Sequence, residues 1–284
     1  VDLASPGTEL IKKLNNEKYA VIQTVATEAN GIYDLREAII RQTPQDIINS
    51  PAIISDLIQA GEMAILVVPI DKEAPKGRLI LPQVQTIRDI LDSDAYCMVV
   101  KEHELRDAFQ RLNPKPAIVV TDSQAFLKVA ADTPGDVLMT SFSILFARVK
   151  GNLSEFVRGA MVIEDLKPGD NVLIAESCSH HPITDDIGTV KIPNWLKQYV
   201  GGKINFNHAQ GHDFPEDLQK YKLIIHCGSC MFNRREVLSR IMHAKRAGVP
   251  ITNYGLTIAY SLGIFERALS PFPDVLEMYR ELKK

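Results

Sequence analysis

Cysteine is scarce, with four in 284 residues, which excludes the disulfide framework of a small secreted scaffold. Positive charge is not in excess either: Lys and Arg number 32 against 35 Asp and Glu, a formal net charge of -3. That balance offers no electrostatic footprint for nucleic acid. No apolar run approaches the roughly 20 residues of a membrane-spanning helix, and the amino-terminal stretch lacks a secretory pattern. A cytoplasmic protein without membrane partners is expected. Also missing is a G-x4-G-K-S/T loop, whose amides and lysine cradle nucleotide phosphates. Without it, no GTP hydrolysis is expected of this chain.

What is there is a clustering of the few cysteines. Cys178-Ser179-His180 and His226-Cys227-Gly228-Ser229-Cys230 hold three of the four, each run beside histidine. Each run closes an apolar block, Asn171-Val172-Leu173-Ile174-Ala175 and Lys222-Leu223-Ile224-Ile225, which reads as a buried strand. If the two strands are parallel, their carboxyl ends share the edge where open α/β sheets place sites. Cys178, Cys227 and Cys230 then converge on one centre. Spacing alone leaves zinc and an iron-sulfur cluster open, with a redox pair or inert thiols as the remaining readings. A set of three thiolates suits zinc completed by histidine, or a cluster with one exchangeable corner.

The pattern Cys178-x-His180, then His226-Cys227-x-x-Cys230, resembles the C-x-H and H-C-x-x-C signature of the HydF family, maturation factors of iron-only hydrogenases. The likeness extends to Pro69-Ile70-Asp71, to Ala74 through Leu79, and to Thr252-Asn253-Tyr254-Gly255. The resemblance implies a 4Fe-4S cluster held by Cys178, Cys227 and Cys230. It further implies a homodimeric scaffold that carries the diiron subcluster precursor to apo FeFe-hydrogenase, alongside the other hydrogenase maturases. His180, His226 and Asp185 are candidates for a fourth ligand or for supporting contacts. Two other readings stay open: an enzyme using a site-differentiated cluster as a Lewis acid, and a structural zinc-binding interaction domain.

In chain order, Val1-Asp2-Leu3 resembles the end of an N-K-x-D guanine motif. A helical stretch, a strand at Tyr19-Ala20-Val21-Ile22, then Thr24-Val25-Ala26-Thr27 and Asn30 through Arg36 follow, resembling the last strand, guanine-contacting loop and final helix of a translation-factor-type GTPase. Residues 1–44 are therefore expected to be the carboxyl-terminal remnant of a P-loop GTPase domain, with Asp2 the guanine-reading residue and GTP a ligand only of an intact chain. The alternative is a short α/β extension that begins Asp-Leu by chance.

Residues 45–150 are expected to form an α/β dimerisation domain and residues 151–284 a cluster-binding domain, both mainly parallel sheets flanked by helices. Within the first, helix is expected over Ile53–Ala60, and a single apolar-faced helix over Val137–Val149, with Phe142 and Phe146 in the core. Asp71, Lys72, Lys76 and Arg78 form a polar loop that either positions an anion or is simply solvated. Cys97 reads as a buried, inert thiol and His103 as a surface histidine. In the second, His208 and His212 fall in an expected loop and make a weak metal pair. His243 lies within a helix as a packed or surface residue. Arg234 and Arg235 stand near Cys230, either offsetting cluster charge or solubilising a helix face.

Overall fold

The computed structural model describes residues 7–17, 19–42, 51–70, 78–177 and 186–284, without the side chains of residues 40 and 42. The chain divides into two compact units, Val1–Pro51 and Ala52–Lys284.

In the first unit, helices α1 (Thr8–Asn16) and α2 (Ile32–Gln42) flank a 3-10 turn at Ala26–Glu28. The strand expected at Tyr19–Ile22 is not formed. A strand needs a ladder partner, and the pairing among this unit's described residues is the isolated antiparallel bridge Val25 to Asn30. None of the unit's described residues is buried. Asp2 lies outside the described residues.

The second unit begins with turns where a helix was expected. Oδ2 of Asp89 accepts from the backbone N–H groups of Ile53, Ile54 and Ser55 at 3.0, 2.7 and 2.8 Å. Satisfying three donors on one carboxylate removes the need for helical pairing there. Strand β1 (Met63–Val67), helix α3 (Leu81–Asp92), β2 (Tyr96–Val100), α4 (Leu105–Arg111), β3 (Ile118–Thr121), α5 (Phe126–Asp132), β4 (Leu138–Ser141) and α6 (Phe142–Lys150) follow. The four strands are parallel, in the order β2-β1-β3-β4. Every residue of β1 and β3 is buried, which is why they read as near-continuous apolar runs rather than alternating ones. The segment expected as one helix from Val137 is thus a short edge strand turning directly into α6. Ser141 is the pivot: its Oγ accepts from Ile144 N at 3.2 Å and caps the helix.

A second sheet repeats the plan. Helix α7 (Leu153–Met161), β5 (Asn171–Glu176), a π-helical turn (Ile187–Lys191), α8 (Ile192–Val200), β6 (Asn205–Gln210), β7 (Leu223–His226), α9 (Arg234–Arg246), β8 (Ile251–Asn253), α10 (Tyr254–Ser261), α11 (Phe265–Ala268) and α12 (Pro273–Leu282) follow in turn. Its parallel order is β6-β5-β7-β8. In each sheet the chain moves first to one side of the opening strand and then to the other. The switch point of the second sheet therefore lies between β5 and β7.

Helices α6 and α10 join the two sheets. Asn253 caps α10, its Oδ1 accepting from Leu256 N at 2.9 Å, while its Nδ2 donates to the Ser143 carbonyl at 2.9 Å. Arg267 donates to the carbonyls of Pro134 and Gly135 from the far side. One core cluster runs through both sheets, and Phe142 and Phe146 lie in the buried interior as expected.

Candidate metal centre

Strands β5 and β7 are paired in parallel, Ala175 opposite His226, so Ser177 and Cys227 leave the sheet side by side at its switch point. The Cys227 amide still bonds the Ala175 carbonyl at 2.9 Å. Beyond it the chain turns sharply, with Ser229 at φ 58°, a left-handed conformation that non-glycine residues adopt mainly where surrounding contacts hold them. The end of β5 and this turn both aim backbone amides at the Cys227 sulfur. Cys227 Sγ lies 3.1 Å from Ser177 N, 3.1 Å from Ser177 Oγ and 3.4 Å from Ser229 N. Amide donors converging on one sulfur are the surroundings that support a metal-bound thiolate, so the donor set fits a thiolate-ligated metal group.

His226 is fully buried beneath this turn. Its Nε2 is 3.1 Å from Arg240 Nη1, and a guanidinium can only donate. The hydrogen-bond network therefore assigns the ring proton to Nδ1, which faces the Cys227 carbonyl and Ser229 Oγ, each at 3.0 Å. Burial pulls the imidazole down to about 4, against the raising pull of the Cys227 carbonyl and with the Arg240 charge lowering it further. Both ring nitrogens of a neutral imidazole are thus already engaged. Arg240 is itself buried, between the rings of Phe232 and Phe214 at 4.4 and 4.8 Å from their centroids. Its Nη2 donates to the Gly211 carbonyl and its Nε to Glu236 at 3.3 Å. Cation-π contact and carbonyl acceptors offset the desolvation of that charge.

Cys230 is partly buried. Burial and the neighbouring Cys227 charge push its thiol up, while Lys150 and nearby amides pull it down. Lys150, at the end of α6, donates to the carbonyls of Ser229, Cys230 and Phe232 at 2.7, 3.0 and 2.8 Å. In the opposite direction, Arg234 donates to the carbonyls of Val149 and Gly151. Arg234 is therefore bound to the end of α6 rather than solubilising a helix face. Glu176, buried at the end of β5, accepts from Tyr254 Oη at 2.9 Å and faces Gln210 Nε2 at 3.4 Å.

Cys178, His180 and Asp185 lie outside the described residues, as do Asp71, Lys72 and Lys76. Among the described residues, no group of three His, Cys, Asp or Glu side chains is positioned to hold a metal ion. Asp186 caps the π-helical turn through Thr189, at 2.6 Å to its amide and 2.8 Å to its hydroxyl. His208 stands on β6 rather than in a loop, and His212 packs on Phe232 at 5.2 Å between centroids. Cys97 is partly buried and its thiol is raised by that burial. His103 is exposed beside Glu102. Sequence reading missed Lys150, Ser177 and Arg240. Ser177, directly before Cys178 at a strand end, carried a usable signal; Lys150 closes an apolar helix some eighty residues away and carried none.

No helix among the described residues is long and apolar enough to cross a membrane. Residues 53–151 match the family model described as the hydrogen maturase F dimerization domain, and residues 154–271 match the one described as its tetramerization domain. No curated protein matches the chain.

Proposed function

The chain belongs to the hydrogen maturase F (HydF) family, a protein of hydrogenase maturation with self-association domains, and from that premise we propose that it is an iron-sulfur carrier. In this reading Cys178, Cys227 and Cys230 hold a 4Fe-4S cluster. The diiron subcluster precursor is the cargo, delivered to apo FeFe-hydrogenase after assembly with the other maturases. The observation that carries the reading is the convergence of Ser177 N, Ser177 Oγ and Ser229 N on Cys227 Sγ at the sheet's switch point. Cys178 follows Ser177 directly in the chain, which supports its place in the set.

The chemistry such a cluster supplies when bound is a Lewis-acidic position with an exchangeable ligand. The chain's own residues shape its surroundings. The amides of Ser177 and Ser229 donate to the Cys227 sulfur and fix its position at the strand end. His226, with both nitrogens engaged, holds the turn rather than ligating iron. That leaves Asp185 and His180 as candidates for the replaceable ligand, on the strength of their place in the sequence.

Self-association is proposed to form a homodimer through the β2 edge of the first sheet. Tyr96 and Val99 on β2, and Leu81, Val84 and Leu91 on the adjoining α3, are exposed large apolar side chains. An edge strand with open backbone groups and an apolar border is covered in stable proteins, often by another chain. GTP is proposed as a ligand only of a chain with a complete nucleotide domain, where Asp2 reads guanine.

The test is anaerobic reconstitution with iron and sulfide, then loading with a synthetic diiron precursor and mixing with apo FeFe-hydrogenase. Hydrogen evolution that depends on the loaded protein is the expected result. A protein that binds cluster and precursor but never activates the hydrogenase would overturn the carrier role.

A further inference from the structure

A lysine in the last turn of a helix ordinarily serves that helix's own carbonyls. Lys150 does not. Its ammonium donates to Ser229, Cys230 and Phe232 carbonyls, all in the turn that carries Cys227 and Cys230. The side chain crosses from the first sheet's last helix to the second sheet's ligand turn, lying over the Phe146 ring at 5.3 Å from its centroid. Arg234 completes the join by bonding the carbonyls on either side of Lys150, those of Val149 and Gly151. The turn it holds is a strained one, with Ser229 at φ 58°. Lys150 is partly buried, so water screens its charge only in part.

We infer that Lys150 is the positioning residue of the cysteine turn: it fixes the turn's carbonyls from the dimerization domain and sets the charge felt by the two thiolates. The inference rests on the metal-centre reading above. A fixed positive charge beside thiolate ligands stabilises the more negative, reduced state of whatever cluster they hold, and so raises its reduction potential. Holding the turn slows loss of its metal. It also makes the ligand turn sensitive to any displacement of α6, the helix that ends the dimerization domain.

The experiment is a mediator-coupled redox titration of the full reconstituted chain, followed by electron paramagnetic resonance, with iron release to a ferrous chelator timed in parallel. Lys150→Met, Lys150→Gln and Lys150→Arg are compared with the unaltered chain. Lys150→Met is expected to lower the midpoint potential and speed iron release severalfold. Lys150→Gln, a donor without charge, is expected to show the lowered potential with slower iron release than Lys150→Met. Lys150→Arg is expected to keep the original potential. If Lys150→Met fails to fold by circular dichroism, the Gln and Arg pair separates charge from support on its own. A folded, cluster-bearing Lys150→Gln with an unchanged potential overturns the inference while leaving the metal centre standing. Absence of any cluster in the unaltered chain overturns both.

Discussion

Arg240 Nη1 lies 3.1 Å from Nε2 of His226, and this one contact decides what the histidine is available to do. Because guanidinium has no acceptor, His226 spends Nε2 on Arg240 and keeps its proton on Nδ1 for the cysteine turn. A histidine next to a cysteine in sequence is thereby turned inward. Arg240 anchors the arrangement from α9, 14 residues further along.

Replacing Arg240 tests that anchor. Arg240→Leu removes bonds to His226, Gly211 and Glu236 and the contacts with Phe232 and Phe214. The expected loss is about 2–4 kcal/mol, in the range for charge-assisted hydrogen bonds left without a partner, read from urea unfolding. Arg240→Lys is expected to recover little of it, since a point charge replaces a planar fork.

Asp89 is the second test. Its carboxylate collects three amides of the turn that replaces the expected first helix of this unit. Asp89→Ala is expected to destabilise by about 2 kcal/mol through orphaned donors, and hydrogen exchange at Ile53, Ile54 and Ser55 is expected to accelerate. Unchanged protection at those amides would contradict the account.

At Gly159 on α7, an added Cβ would meet the Ile251 carbonyl oxygen at 2.0 Å and its carbon at 2.4 Å. Backbone of β8, not a flexible side chain, stands in the way. Gly159→Ala is therefore expected to cost about 1–3 kcal/mol as an overpacked contact, visible as a lowered melting temperature. A neutral substitution would contradict the close approach of α7 to the β8 backbone.

The β2 edge carries the fourth prediction. Val99→Lys places a charge among exposed apolar side chains on the strand at the edge of the sheet. A shift toward a smaller oligomer is expected by light scattering at matched concentration. An unaltered mass would move the dimer contact elsewhere.

Much of this architecture was legible in advance. β1, β3, β5 and β7 are apolar blocks because both their faces are covered, and Ser177 and Cys227 follow β5 and β7 directly. β4 and β8 were not legible. Leu138–Ser141 and Ile251–Asn253 are short and pass straight into helices, so strand and helix periodicity merge. Ile53–Ala60 misled because the carboxylate that satisfies its amides is Asp89, more than thirty residues away. Lys150 and Arg240 read as ordinary basic residues on helices; only the fold brings one to the cysteine turn and the other beneath it. The C-x-x-C spacing singled out Cys227 and Cys230 as candidates, whereas the donors aimed at Cys227 Sγ depend on the parallel register of β5 and β7.

The central claim, a thiolate-held iron-sulfur cluster, is tested most directly by anaerobic reconstitution followed by ultraviolet-visible and electron paramagnetic resonance spectra before and after dithionite, with Cys227→Ala alongside. The account predicts a broad thiolate-to-iron absorbance near about 400 nm and a reduced-cluster resonance, both lost in Cys227→Ala. A colourless protein that takes up stoichiometric zinc and no iron would contradict it, and would make the cysteine turn a structural metal site.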